Sequence, residues 1–520
     1  MPPHDLGRKS LLLLGSTWGS TALGMVVSVL IGRVLGPAAL GSIGFSTGMV
    51  GLLMAALMPG FARAHLKRLS EGQDAGRCVG TMAAIQLALQ VVLVVGLLAL
   101  HYQIAPRWPW LAHASEVSVV FLFLLAAQVA NNFADVFLKV FVVREWVVPH
   151  TLLVMAARFA RLLATLAVLL WIPRIEWVAA TFLLEGVLSG IGAVGLLAWR
   201  YHIAPRRPTG QSLLDYWRYA RPFLVNHPLA LFQDSIDRVL VGRWAGLTAT
   251  GYYHVARGLW EALSSVIAAP ATFLFTRLSS LYVERSPARD REARDFFVSG
   301  LEKLLFMTIP LAFAFWAFAD LGIGLLLGPA FLPAALPLRL LVLTAIVANI
   351  VNPYTLILYA LDEAGRFIPV NVVRIVVYVA ALALLVPPDG LMAGLPGPWP
   401  GAPGAACARL VLVLVPCWIY FRWSRDVAAI PFHRGIWAYL GGFALMIGVF
   451  HAAEAGAATL GLTGWWAAVP SAALALALYL AYLFRVHPGT RENLRYTLAL
   501  SSPTDFIRFL RSGLRGPARP

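Results

Sequence analysis

Ionisable side chains standing inside long apolar stretches carry whatever chemistry this chain performs. Arg158, Arg161, Arg238, Arg257, Arg374 and Arg409 fall within such stretches, as do Asp135, Glu185, Asp234, Asp237 and Glu261. A lone charge at the centre of a bilayer costs at least ~2.5–3.5 kcal/mol, so each of these groups must face a partner or water. The planar guanidinium fork binds phosphate oxygens in pairs, which makes Arg158, Arg161, Arg238 and Arg374 candidates for an anion-binding cavity. Asp135, Asp234, Asp237 and Glu261 are candidates for exchanging the proton or cation that drives such a cavity. Asn132 and Asn352, with Asn131, Asn349 and Asn371 close by, either offer amides to sugar hydroxyls or hold helices together.

Spacing leaves a structural reading open beside the functional one. Asp234 and Arg238 are four residues apart, as are Arg257 and Glu261, so each pair can close on one helical face as an ion pair that fixes packing. Arg158 stands roughly nine residues, ~13 Å, inside its segment, which is too deep for easy snorkelling. Glu185 and Asp320 have no partner at helical spacing within their own segments and are candidate proton sites.

The elements that position these groups are membrane spans. The 520 residues are 59% hydrophobic and 13% charged, with mean hydropathy +0.75; a soluble domain carries about 25% charged residues. Stretches of roughly 20 apolar residues, each enough to cross a ~30 Å core as a helix, recur along the chain. They predict an all-α integral membrane protein of about fourteen transmembrane helices: two six-helix lobes and a C-terminal pair. The lobes are residues 1–199 (spans one to six) and 222–424 (spans seven to twelve), joined by a cytoplasmic linker at 200–221. The pair is 435–484, and a basic cytoplasmic tail covers 485–520. The pattern Gly-Arg-x2-Gly-x4-Gly marks the duplication, because Gly32 to Gly41 returns as Gly242 to Gly251. Duplicated halves in an apolar chain point to a transporter with its path between the repeats.

The net charge of +16 follows topology. With the N-terminus inside, 30 of the 41 Lys and Arg lie on inner segments and five on outer ones, the rest within spans. This bias places both termini in the cytoplasm and excludes nucleic acid as the reason for the basicity. Around 506–515, Arg508, Arg511 and Arg515 share one helical face while Phe506, Leu510 and Leu514 share another, a surface helix suited to anionic phospholipids. The first apolar run is too long for a signal peptide and is read as a retained helix. Cys78, Cys407 and Cys417 read as apolar filler. No Walker loop, H-E-x-x-H or G-x-S-x-G occurs, and neither a metal nor a cofactor is expected.

Three stretches resemble a known group. Gly32-Arg33-Val34-Leu35-Gly36-Pro37 through Gly41 is similar to the bacterial polysaccharide (O-antigen and exopolysaccharide) flippases of the multidrug/oligosaccharidyl-lipid/polysaccharide exporter superfamily. So are Asp237-Arg238-Val239-Leu240-Val241-Gly242-Arg243 with Gly251-Tyr252-Tyr253, and Leu327-Gly328-Pro329-Ala330-Phe331 leading into Leu338-Arg339. The resemblance implies pseudo-twofold lobes around a central cavity. It also implies flipping of an undecaprenyl-pyrophosphate-linked oligosaccharide across the bacterial inner membrane by alternating access, with glycan polymerase machinery as a possible partner. The first span departs from relatives of other kinds: it holds no acid, unlike ion-coupled drug exporters, and no internal Arg, unlike the usual peptidoglycan-precursor flippases. A cation-coupled multidrug exporter and a membrane-embedded glycan-processing enzyme stand as the alternatives.

Overall fold

The computed structural model describes residues 4–57, 60–104, 115–221, 226–281, 287–360, 367–391, 394, 399–428, 430, 432–487 and 489–501. All regular structure among them is helical. Eleven helical runs among the described residues are long and apolar enough to cross a bilayer. The expected fourteen differs from this in two places. Spans one and two share one run, Gly15–Ala55, and the expected spans seven and eight, at 222–245 and 249–276, extend beyond the residues whose side chains are described. The tail helix at 506–515 lies outside the described residues.

The helices wear their apolar residues outward, as lipid contact requires. On the helix Val147–Trp171, Leu152, Phe159, Leu163 and Leu170 are exposed, whereas Thr165 and Leu169 on the opposite face are buried. Exposed tryptophans stand at helix ends, as Trp171, Trp199 and Trp466 do. That is the position of an interfacial aromatic belt.

The chain forms two compact units, one of Arg8–His254 and one beginning at Val255. The first contains α1 (His4–Leu57), α2 (Phe61–Ser70), α3 (Ala75–Ile104), α4 (Ser115–Val143), α5 (Val147–Trp171), α6 (Ile175–Arg200), α7 (Gly210–Ala220), α8 (Asn226–Gln233) and the start of α9 (Ile236–Leu281). Helix α1 breaks and restarts at Gly36 (φ 79°, ψ −177°), and α9 does the same at Gly246 (φ 84°, ψ 174°). This backbone region is essentially restricted to glycine. The two copies of the Gly-Arg pattern therefore carry the same backbone device at the same position. They also pack against each other reciprocally: a methyl on Gly41 would overlap Leu247 O, and one on Gly251 would overlap Pro37 O.

Small residues also join α4 to α6. Gly186 lies against Ala130, and Gly190 against Ala134. A small residue every fourth position on both helices lets their backbones approach closely. The segment after α6 is docked along α3. Arg206 N donates to Gly76 O at 2.9 Å, and side chains at Gly76 or Gly80 would collide with Ala204 O and Arg206 O. Helix α7 follows and is closed by a Thr209–Ser212 capping box. Its Tyr216 is buried and reaches His65 of α2 at 2.9 Å.

The second unit continues through α10 (Pro287–Ala317), α11 (Ala319–Leu327), a 3-10 turn (Pro329–Ala334), α12 (Ala335–Ala360), α13 (Phe367–Leu385), α14 (Ala402–Leu414), α15 (Cys417–Ala428), α16 (Ile436–Thr459), α17 (Trp465–Val486) and α18 (Thr490–Ser501). Gly328 repeats the Gly36 conformation (φ 92°, ψ 172°) in another Leu-Gly-Pro-Ala sequence. Phe297, Leu301, Leu305 and Ile309 form a fully buried stripe on α10, the helix that packs on α12 and α16. Helices α16 and α17 form an antiparallel-length pair joined by the short turn Leu460–Gly464.

Candidate functional site

Arg158 and Arg161 are one helical turn apart on α5, and both reach across to Glu185 of α6. Arg161 Nη1 donates to Glu185 Oε2 at 2.5 Å, and Arg158 Nε stands 3.1 Å from Oε1. The contact of Arg158 is ionic rather than an aligned hydrogen bond, because its buried Nε and that of Arg161 both lack a hydrogen-bond partner. The Arg161 guanidinium also covers the Phe182 ring at 4.6 Å, and Thr165 and Thr181 bridge the same two helices at 2.9 Å. One carboxylate thus serves two guanidinium groups, leaving one formal positive charge over. Glu185 has its partners on the neighbouring helix, which spacing along its own helix could not reveal.

In the second unit, Arg374 of α13 lines a cavity of about 230 Å³ with Asn352, Thr355, Asn371 and Tyr420. Its Nη1 donates to Asn371 Oδ1 at 3.1 Å, while its buried Nε meets no acceptor. No carboxylate pairs with Arg374 among the described residues. Asn352 and Arg374, expected as cavity residues, are therefore brought together around one space. A neutral amide holds the guanidinium in place without neutralising it, so the cation stays available to an anion.

The remaining candidates make contacts within their own part of the fold. The expected seventh span is not one helix: α8 ends at Gln233, the chain turns at Asp234 and Ser235, and α9 begins at Ile236. Arg238 Nη2 donates to the backbone oxygen of Asp234 at 3.0 Å. It thus ties the first turn of α9 to the carbonyl at the helix break. Asp237 is fully buried; its Oδ1 accepts from Arg238 N at 2.8 Å and its Oδ2 from the Tyr253 hydroxyl at 2.7 Å. Asp135 pairs with Lys139 one turn on. Asn132 accepts from Gln128 Nε2 at 2.8 Å and lies against Met54 Sδ.

Arg257 and Glu261 pair at 2.8 Å, with the Arg257 side chain buried and Glu261 half exposed. Asp320 meets Arg339 at 2.5 Å. A further cluster, Glu302, His433 and His487, comes from three elements far apart in the chain. No metal-ligand spacing in the sequence marks it.

An outward apolar skin and eleven helical runs long enough to cross a bilayer, with no other regular structure among the described residues, define a multi-pass all-α membrane protein. Solved structures agree. A "Lipid II flippase MurJ, inward closed conformation" superposes with TM-score 0.68 at 13% identity, over 90% of this chain and 97% of that one. An inward-facing multidrug-resistance MATE transporter of the MOP superfamily superposes with TM-score 0.60 at 14% identity, over 79% and 94%. A MATE structure in complex with MaD3S gives TM-score 0.54 at 15% identity, over 82% and 97%. The chain shares the fold of these transporter and flippase structures. The family model described as polysaccharide biosynthesis protein matches residues 6–281, more than half of the chain, and the chain belongs to that family. No curated protein matches it.

Proposed function

We propose that this protein flips an undecaprenyl-pyrophosphate-linked oligosaccharide across the bacterial inner membrane by alternating access, for surface or exopolysaccharide synthesis. Arg374 carries the reading: a half-buried guanidinium tethered by Asn371, with its buried Nε unsatisfied and no carboxylate partner among the described residues, on a cavity that Asn352 and Thr355 also line. A diphosphate supplies the charge such a cation lacks, and amides and hydroxyls suit the adjoining sugar. Arg158 and Arg161, sharing Glu185, provide a second place with positive charge in excess. Membership of the polysaccharide biosynthesis family and the fold shared with a lipid II flippase support the same substrate class.

Both termini lie in the cytoplasm in this reading, and the lobes 1–199 and 222–424 each contribute cations. The tail contacts anionic phospholipids, and polymerase machinery takes up the product. Arg238 is a further cation of the substrate cavity in this reading, and Asp135, Asp234, Asp237 and Glu261 supply the coupling groups. The test is surface glycan in cells that carry the chain as their sole flippase. Arg374→Ala is expected to abolish export while the protein stays in the membrane, and Arg374→Lys to restore only part of it. Wild-type glycan from Arg374→Ala together with lost drug tolerance would select a cation-coupled exporter instead.

A further inference from the structure

Glu302, on the buried stripe side of α10, faces two histidines from different elements. His433 stands in the turn before α16, and His487 follows the last residue of α17. His433 Nε2 is 2.9 Å and His487 Nε2 3.2 Å from the same oxygen, Glu302 Oε1. The three ligand atoms all lie within 4.8 Å of one another. His433 Nε2 has no aligned hydrogen bond despite its closeness to the carboxylate, and the buried Nδ1 of His487 has no partner. Both Nε2 atoms thus converge on one carboxylate oxygen, and His433 Nε2 does so without an aligned hydrogen bond.

The surroundings hold this arrangement from behind. His433 N donates to the Tyr354 hydroxyl at 3.1 Å, and Tyr354 O accepts from Ser424. Thr490 Oγ1 lies 2.7 Å from His487 O and 2.9 Å from Leu483 O, pinning the end of α17. Side-chain-free residues flank the cluster: a methyl on Gly435 would collide with His433 Nε2, and one on Gly489 would stand 3.2 Å from Glu302 Oε2. In front is an open cleft of about 690 Å³.

We infer that Glu302, His433 and His487 form a binding site for a divalent transition-metal ion of the zinc class, with its fourth position open to the cleft. Two imidazoles and a carboxylate are a borderline nitrogen–oxygen donor set that zinc accepts. Metal–ligand bonds of ~2.0–2.2 Å in a tetrahedron separate neighbouring donor atoms by about 3.3–3.6 Å. The observed separations of 2.9 and 3.2 Å therefore need to open by only a few tenths of an ångström. The ion would clamp α10 to the start of α16 and the end of α17. The inference is independent of what the protein transports.

The experiment uses the full chain, purified in detergent, freed of any tag and stripped with chelator, then titrated with zinc chloride against a chromophoric chelator. One zinc per chain retained through desalting, with a raised melting temperature, is the expected result. Glu302→Gln, His433→Gln and His487→Gln should each weaken binding at least tenfold, and His451→Gln, an exposed histidine elsewhere on α16, should not. Wild-type protein that retains no zinc overturns the inference without recourse to any variant. So does zinc binding that survives His433→Gln combined with His487→Gln.

Discussion

Replacing Glu185 by Gln removes the one carboxylate that Arg158 and Arg161 share, while keeping the side chain's shape. Breaking a buried ion pair by removing one partner costs ~3–5 kcal/mol, because the other charge is left uncompensated. The Arg161 side chain is 12% exposed and falls under that rule; that of Arg158 is 32% exposed, so its pair is screened and contributes at most ~1 kcal/mol. Taking the lower end for Arg161, the expected loss is about 3–4 kcal/mol, a factor of more than 100 in the folded-to-unfolded ratio.

The assay is detergent-solubilised unfolding followed by tryptophan fluorescence, in the absence and presence of pyrophosphate. The variant leaves two guanidinium groups where the wild type leaves one charge over, so pyrophosphate should stabilise the variant more. At ten times its dissociation constant the gain is about 1.4 kcal/mol. Combining Glu185→Gln with Arg161→Gln should recover part of the loss, since the double change removes the stranded charge. A loss below ~0.5 kcal/mol, or a double variant as unstable as the sum of the singles, would refute this account of the cluster.

Two further outcomes follow from the packing. Gly41→Ala and Gly251→Ala each push a methyl into backbone oxygen of the other copy of the repeat, and each should lower stability by about 1–3 kcal/mol. Because they damage one contact, the double variant should cost less than their sum, which thermal denaturation of the three proteins will show. His65 lies on α2, fully buried; burial lowers its pKa from 6.5 to about 4, with Lys139 adding to the effect and the hydrogen bond to Val136 O opposing it. The unfolded chain therefore takes up a proton below about pH 6.5 that the folded chain refuses. Stability should fall as pH drops from 6.5 towards 4, by roughly 1.4 kcal/mol per pH unit at most, and His65→Gln should flatten that stretch of the pH profile.

Much of the architecture was legible because its causes are local. Apolar length marks a span, and the two copies of the glycine pattern share one backbone conformation, at Gly36 and Gly246. Arg257 with Glu261 was legible for the same reason, since helical spacing alone brings the pair together. Partners on neighbouring helices were not. Glu185 finds its arginines across the α5–α6 contact, and Asp237 finds Tyr253 beyond the break at Gly246.

The interruption at Asp234 and Ser235 was hidden inside a stretch whose composition reads as one span. Only the folded chain shows that Arg238 serves the backbone carbonyl of Asp234. The sequence marks 200–221 as a cytoplasmic linker without showing what it packs against. Its docking depends on Gly76 and Gly80 of a distant helix. The convergence of Glu302, His433 and His487 leaves no trace in sequence spacing.

The most direct measurement of function is flipping in proteoliposomes that contain the purified chain and a fluorescent undecaprenyl-pyrophosphate oligosaccharide, with outer-leaflet label quenched by a membrane-impermeant reductant. Wild-type protein should render label from both leaflets accessible over time. Arg374→Ala should leave inner-leaflet label protected as in protein-free vesicles, with an undecaprenyl carrier lacking the pyrophosphate unmoved by either protein. Equal flipping by wild type and Arg374→Ala, or flipping that ignores the diphosphate, would contradict the assignment of Arg374 as the cation that grips the substrate.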